Sequence, residues 1–83
     1  MATDLIDLRV ADPEITVGHR IRVARTNAGL KQEDLAERVG VSPQLVSKWE
    51  RDKSLPDVIE AAKIADVCSV SFGWLGGVPV RSR

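Results

Sequence analysis

The stretch from Gln32 to Arg51, QEDLAERVGVSPQLVSKWER, places a small residue at Ala36, a glycine at Gly40 and a β-branched apolar residue at Val46. That spacing is the strongest constraint in the chain. Ala36 lets a second helix approach the first closely, Gly40 turns the backbone out of the first helix, and Val46 fixes the second in the core. Leu35, Val39, Val41 and Trp49 complete the apolar seam.

At 83 residues the chain has the size of one domain whose single core is modestly stable, which favours a compact helical bundle or a dimer. Cys68 is the sole cysteine and lies in the apolar run IADVCSV, so an internal disulfide is excluded and the thiol reads as a small buried hydrophobe. No metal-ligand cluster is present in the sequence. No apolar run approaches the roughly 18 residues that span a bilayer, and the opening MATDLID lacks the basic flank and apolar core of a signal peptide. A cytoplasmic location with no membrane partner is the expectation.

The inventory also speaks against an enzyme. His19 is the only histidine, and there is no HExxH, no phosphate-cradling glycine loop and no acid pair with an obvious cleft. Beside arginines on a helix, His19 reads as a surface or phosphate-facing residue, and no cofactor is expected.

Formal net charge is zero, which at first argues against a nucleic-acid partner, since phosphate neutralisation needs surplus Lys and Arg. The distribution is uneven. Residues 1–16 hold four acids (Asp4, Asp7, Asp12, Glu14) against Arg9, residues 17–56 hold eight bases against five acids, and residues 57–83 balance. A basic middle behind an acidic lead suits a small nucleic-acid binder, and a solvated surface explains it equally well.

Read along its length, the chain is all-α with five helical segments. Residues 1–14 carry the apolar cluster Leu5, Ile6, Leu8 and Val10 before Pro13 and form an N-terminal arm or frayed helix. Residues 15–76 form the domain proper and 77–83 a tail. The first helix starts at the Thr16 cap, carries Arg20, Arg22 and Arg25, turns Ile21, Ala24 and Ala28 to one face, and ends at Asn27 to Gly29. The second opens at Lys31 or Gln32, with Glu33 and Asp34 favouring the positive end of its dipole, and closes at Gly40. Ser42 as cap and Pro43 at the first position start the third, which ends near Arg51. A fourth, from about Asp57 to Val67, offers Val58, Ala61, Ala62, Ile64 and Ala65 to the core. After the turn CSVS, a last helical turn contains Phe72, Trp74 and Leu75.

The second and third segments together have the signature of a helix-turn-helix, a device for laying one helix into the major groove of duplex DNA. Residues 18 to about 76 resemble the lambda-repressor and Cro type of helix-turn-helix regulator, the XRE family. The resemblance rests on Ala28-Gly29-Leu30, Gln32 to Ala36, Gly40-Val41-Ser42, Val46 to Arg51, Pro56, Ile64-Ala65 and Trp74-Leu75, in this order and spacing. It implies a compact five-helix bundle of the lambda-repressor-like type.

The resemblance also implies roles for particular residues. Gln32 would bond a DNA phosphate, a helix-start residue facing water being the alternative. Ser42, Pro43 and Gln44 fall where related repressors place base-reading side chains, with Ser47 and Lys48 one turn on. Glutamine can bond adenine N6 and N7, and lysine can donate to guanine O6 and N7. Gln44 and Lys48, four residues apart, share one helix face. Leu45 would touch a thymine methyl or lie along the sugar edge. In similar domains an arginine such as Arg25 pairs with the glutamate that ends the recognition helix, here Glu50, so these two are read as a structural ion pair and Trp49 as core.

Three positions depart from the family pattern. Lys31 stands where Ser or Thr usually caps the second helix, Asp52 replaces a common glycine, and Cys68 a leucine. Lys53 is the only base of the loop that follows and joins the candidate DNA contacts. The resulting expectation is a sequence-specific transcriptional regulator of double-stranded DNA, a phage or bacterial repressor that binds a palindromic operator as a homodimer. The alternative is an antitoxin or adaptor on the same scaffold whose main partner is a protein, with Leu5, Ile6, Leu8 and Val10 available to it.

Overall fold

The computed structural model describes residues 15–76, and these form five helices with no strand: α1 (Val17–Asn27), α2 (Gln32–Val39), α3 (Pro43–Glu50), α4 (Val58–Cys68) and α5 (Phe72–Leu75). The arm cluster Leu5, Ile6, Leu8 and Val10 and the tail from residue 77 lie outside the described residues.

Four of the five helices begin where a side chain accepts a free N–H of the first turn. Thr16 Oγ1 accepts the His19 N–H at 3.1 Å, Ser42 Oγ accepts that of Leu45 at 3.1 Å, and Ser71 Oγ accepts that of Trp74 at 2.9 Å. At α4 the exchange is reciprocal: Asp57 Oδ1 accepts the Glu60 N–H at 2.7 Å while Glu60 Oε1 accepts the Asp57 N–H at 2.9 Å. At α2, Lys31 has no acceptor to offer, and only the return bond is made, from the Lys31 N–H to Asp34 Oδ2 at 2.9 Å.

The four longer helices end in one common way. Gly29, Gly40, Asp52 and Ser69 all take positive φ (76°, 91°, 58° and 60°). In each case the next residue's N–H returns to a carbonyl five positions back: Leu30 to Arg25, Val41 to Ala36, Lys53 to Lys48, and Val70 to Ala65, at 2.9–3.1 Å. This is the Schellman closure, which uses up carbonyls that the helix end leaves free. Glycine takes the left-handed conformation without strain, whereas at Asp52 and Ser69 a short polar side chain adopts it.

The core is assembled from Ile21 and Ala24 of α1, Leu35, Ala36 and Val39 of α2, Val46 and Trp49 of α3, Ile64, Ala65 and Cys68 of α4, and Trp74 and Leu75 of α5. Ala36 is wholly buried, in keeping with the close approach its size allows. Several expectations are corrected. Ala28 is exposed because α1 has already ended there. On α4 the buried stripe runs through 64, 65 and 68, so Ala62 falls off it and is exposed, Ala61 is only partly buried, and Val58, at the helix start, is 72% exposed. Cys68 is buried, and that burial, with Glu50 nearby, pushes its thiol pKa up against the opposing pull of Arg25.

Arg20, one of the three arginines of α1, is 1% exposed. Its Nη1 donates to the Trp74 carbonyl at 3.3 Å, and its guanidinium lies 5.3 Å from the centre of the Trp74 ring. A hydrogen bond and a cation–π contact thus tie α1 to α5.

Gly18 marks the closest approach of α1 to the end of α3. The Gly18 N–H donates to Asp52 Oδ1 at 3.0 Å, so the aspartate that replaces a glycine places its charge on the N-terminal turn of α1, where the helix dipole favours it. A methyl group at Gly18 would overlap the Trp49 carbonyl oxygen and crowd the Asp52 carboxylate. Gly18→Ala should therefore destabilise the fold by about 1–3 kcal/mol, the usual cost of overpacking, read as a lower urea midpoint with unchanged slope.

Candidate nucleic-acid interface

The candidate interface is built on α3, which the Glu50 carboxylate at its last residue ties to α1 and α2. Arg25 Nε donates to Glu50 Oε2 at 2.6 Å and Arg25 Nη2 to Oε1 at 3.1 Å, a bidentate pair whose side chains are 12% and 4% exposed. Arg25 Nη1 also donates to the Leu30 carbonyl at 2.7 Å, and Gln32 Nε2 donates to Glu50 Oε1 at 3.0 Å. One carboxylate thus holds the end of α1, the start of α2 and the end of α3. A planar fork on a carboxylate fixes angle as well as distance, which a lysine in place of Arg25 would not do.

Gln32 is partly buried and engaged in this network. Because a carboxylate only accepts, the glutamine must point its NH₂ group at Glu50, which leaves the second amide hydrogen for a further acceptor. Gln32 also lines an open depression of about 360 Å³ with Arg25, Lys31, Glu33 and Pro43. Its setting at the first turn of α2 places it where helix N–H groups and dipole favour an anion.

On the outer face of α3, Ser42, Pro43, Gln44 and Lys48 are exposed and Ser47 is partly exposed. Ser42 serves its own helix as cap, which uses one lone pair of its hydroxyl oxygen and leaves the O–H free to donate outward. Leu45 is partly buried and packs against the core, so its side chain belongs as much to the interior as to the surface. Lys53 is exposed in the loop that leaves α3. His19 is exposed near the start of α1.

Arg51 was absent from the candidate set drawn from the sequence. Its side chain is exposed and folds back so that Nε donates to the Ser47 carbonyl at 3.3 Å. The spacing carried the signal: Gln44, Lys48 and Arg51 stand at i, i+4 and i+7, a single helical stripe. Among the described residues no group of three or more His, Cys, Asp or Glu is placed to hold a metal ion, and no helix is long and apolar enough to cross a membrane.

Truncating Glu50 would leave the Arg25 guanidinium with its main partner gone in a nearly closed setting. Glu50→Ala should cost about 3–5 kcal/mol, against a much smaller loss for Lys48→Ala on the exposed face, both measured by urea unfolding.

A helix-turn-helix family model matches residues 21–75. The HTH-type transcriptional regulator ImmR of Bacillus subtilis (strain 168) is 32% identical over 63 residues, covering 76% of this chain and 50% of that protein. Repressor protein CI of Enterobacteria phage phi80 is 38% identical over 61 residues, 72% of this chain and 25% of that protein. The chain thus spans about half or less of the length of these curated relatives. Among solved structures, the P22 c2 repressor protein in complex with synthetic operator 9T superimposes with a TM-score of 0.70 at 30% identity, covering 74% of this chain and 92% of that one. Relatives of this kind are transcriptional regulators and repressors rather than enzymes, in agreement with the inventory of the sequence. With the match extending across the buried seam, both turn glycines and all of α3, this chain belongs to the XRE-type helix-turn-helix family of DNA-binding regulators.

Proposed function

We propose that this chain is a sequence-specific regulator of transcription, a repressor of phage or bacterial origin acting in the cytoplasm, which binds a palindromic operator in double-stranded DNA as a homodimer. The observation that carries this reading is the outer face of α3: Gln44 and Lys48 lie exposed on one side of a helix whose other side is locked by Val46, Trp49 and the Glu50 network. A helix held this firmly can present hydrogen-bonding groups to base edges without first having to be ordered.

Within this reading the side chains divide by chemistry. Gln44 and Lys48 read bases, Gln44 matching adenine and Lys48 matching guanine. Ser42, Pro43, Leu45 and Ser47 shape the contact around them. Gln32, Lys53 and Arg51 hold phosphates at either end of the helix-turn-helix, Gln32 through its second amide hydrogen. With Gln32 at the start of α2 and the two bases beyond the end of α3, these contacts set how α3 enters the groove. The P22 c2 repressor, a structural neighbour crystallised in complex with a synthetic operator, supports such docking.

Selection of bound duplexes from a random pool tests the proposal directly. Enrichment of a palindrome with half-sites about one helical turn apart supports it, and a pool that stays random overturns it. On the selected site, Gln44→Ala should cost about 1–3 kcal/mol at a single base pair and little on sequences altered elsewhere. Lys53→Ala should weaken binding to all sequences and make the salt dependence shallower by roughly one unit in the log–log slope, read by titration at several salt concentrations.

A further inference from the structure

Among the exposed side chains at the end of α3, one has the wrong sign for a phosphate backbone. Lys48, Arg51 and Lys53 are all exposed there, and between the last two stands Asp52, also exposed. From residue 42 to residue 56 the chain carries two acids, Glu50 and Asp52, and Glu50 is closed in by Arg25 and Gln32. Asp52 forms no ion pair among the described residues, so neither neighbour cancels its charge at contact distance. Nor is it free to turn away. Its backbone N–H donates to the Trp49 carbonyl at 3.0 Å, and its Oδ1 accepts the Gly18 N–H at 3.0 Å. The fold uses that oxygen and does not depend on the charge, since an asparagine would offer the same acceptor and also takes the left-handed conformation.

We propose that Asp52 is an affinity-determining residue: its carboxylate, held in place by Gly18, opposes the phosphate contacts of Arg51 and Lys53 and lowers affinity for all duplexes alike. The proposal rests on the reading that α3 docks on DNA. Neighbouring α-carbons are about 3.8 Å apart, so a phosphate held by Arg51 or Lys53 lies on the order of one Debye length, about 8 Å, from the Asp52 carboxylate. At that range a fixed like charge is felt. Phosphate contacts carry no sequence information, and non-specific binding is almost wholly electrostatic. A repulsion on the phosphate side therefore falls on every sequence, and stable residence depends on the base contacts of Gln44 and Lys48. The glycine common at this position in the family would make the same turn without the repulsion.

Anisotropy titration of a short duplex of arbitrary sequence, at several salt concentrations, tests this without any operator. Asp52→Asn keeps the acceptor for Gly18 and removes the charge. It should bind about threefold to tenfold tighter than wild type at about 0.1 M salt, with a log–log salt slope steeper by up to roughly one unit and an advantage that shrinks as salt rises. Asp66→Asn makes the same change in net charge at an exposed position near the end of α4 and should leave binding within about twofold of wild type. Should Asp52→Asn unfold in urea well before wild type, Asp52→Gly, which suits the left-handed turn, should show the same tightening. Variants at Asp52 that bind no tighter, or more weakly, overturn the proposal and leave Asp52 as a clasp alone, and so does equal tightening by Asp66→Asn. If Lys53→Ala weakens binding while Asp52→Asn changes nothing, this proposal falls and the docking of α3 stands. If none of the variants alters binding, or no duplex is bound at the lowest salt, both fall together.

Discussion

The Glu50 carboxylate is the point on which the geometry of the candidate interface converges. It receives three donors, two from Arg25 and one from Gln32, and so joins three helices at the corner where the recognition helix ends. Hydrophobic contacts among Ile21, Leu35, Val46 and Trp49 supply the greater part of the driving force for burial, but they are non-directional and tolerate small rotations of one helix on another. A bidentate charge-assisted pair does not. The division of labour is therefore between an apolar seam that makes the bundle fold and a nearly closed ion pair that fixes the angle at which α3 leaves it. The same carboxylate orients Gln32, which links the start of α2 to the end of α3 through a single side chain.

Repetition of one helix-ending motif explains how so short a chain reverses direction so often. Each of the four longer helices stops within two residues of a left-handed position and satisfies its carbonyls by the same backbone return. Two of these positions are glycine, which makes them visible in a sequence. At the end of α3 the residue is Asp52, and its carboxylate finds a second use on the Gly18 N–H. The cost of a side chain in the left-handed region is offset there by a hydrogen bond that closes α3 onto α1, and the bare α-carbon of Gly18 is what makes room for it.

Local chemistry and periodicity made much of this legible from the residues alone. Thr16, Ser42 with Pro43, Asp57, Gly29 and Gly40 announce helix ends because capping depends on groups within three or four positions of one another. The buried seam of α2 and α3 could be read at single-residue level, since two eight-residue helices at a tight turn leave few choices of face. The reading was weaker on α4, where Val58 and Ala62 belong to a broadly apolar helix and nothing in the sequence says which side its neighbours cover. Arg20 was missed for a related reason. It lies three residues after Val17 and next to Ile21, within the apolar register, yet a charged side chain in that register is ordinarily read as surface.

The sequence by itself determined the helices, their ends, the helix-turn-helix and the exposure of Gln44 and Lys48, because each of these follows from interactions between residues close in the chain. Tertiary structure decided what depends on distant neighbours: the burial of Arg20 against Trp74, the capture of Gln32 by Glu50, the clasp of Asp52 on Gly18, and an apolar groove lined by Val17, Leu55 and Phe72. The physical reason is separation. These partners lie 54, 18 and 34 residues apart in the three hydrogen-bonded cases, and no local propensity specifies a contact that exists only once the helices have packed.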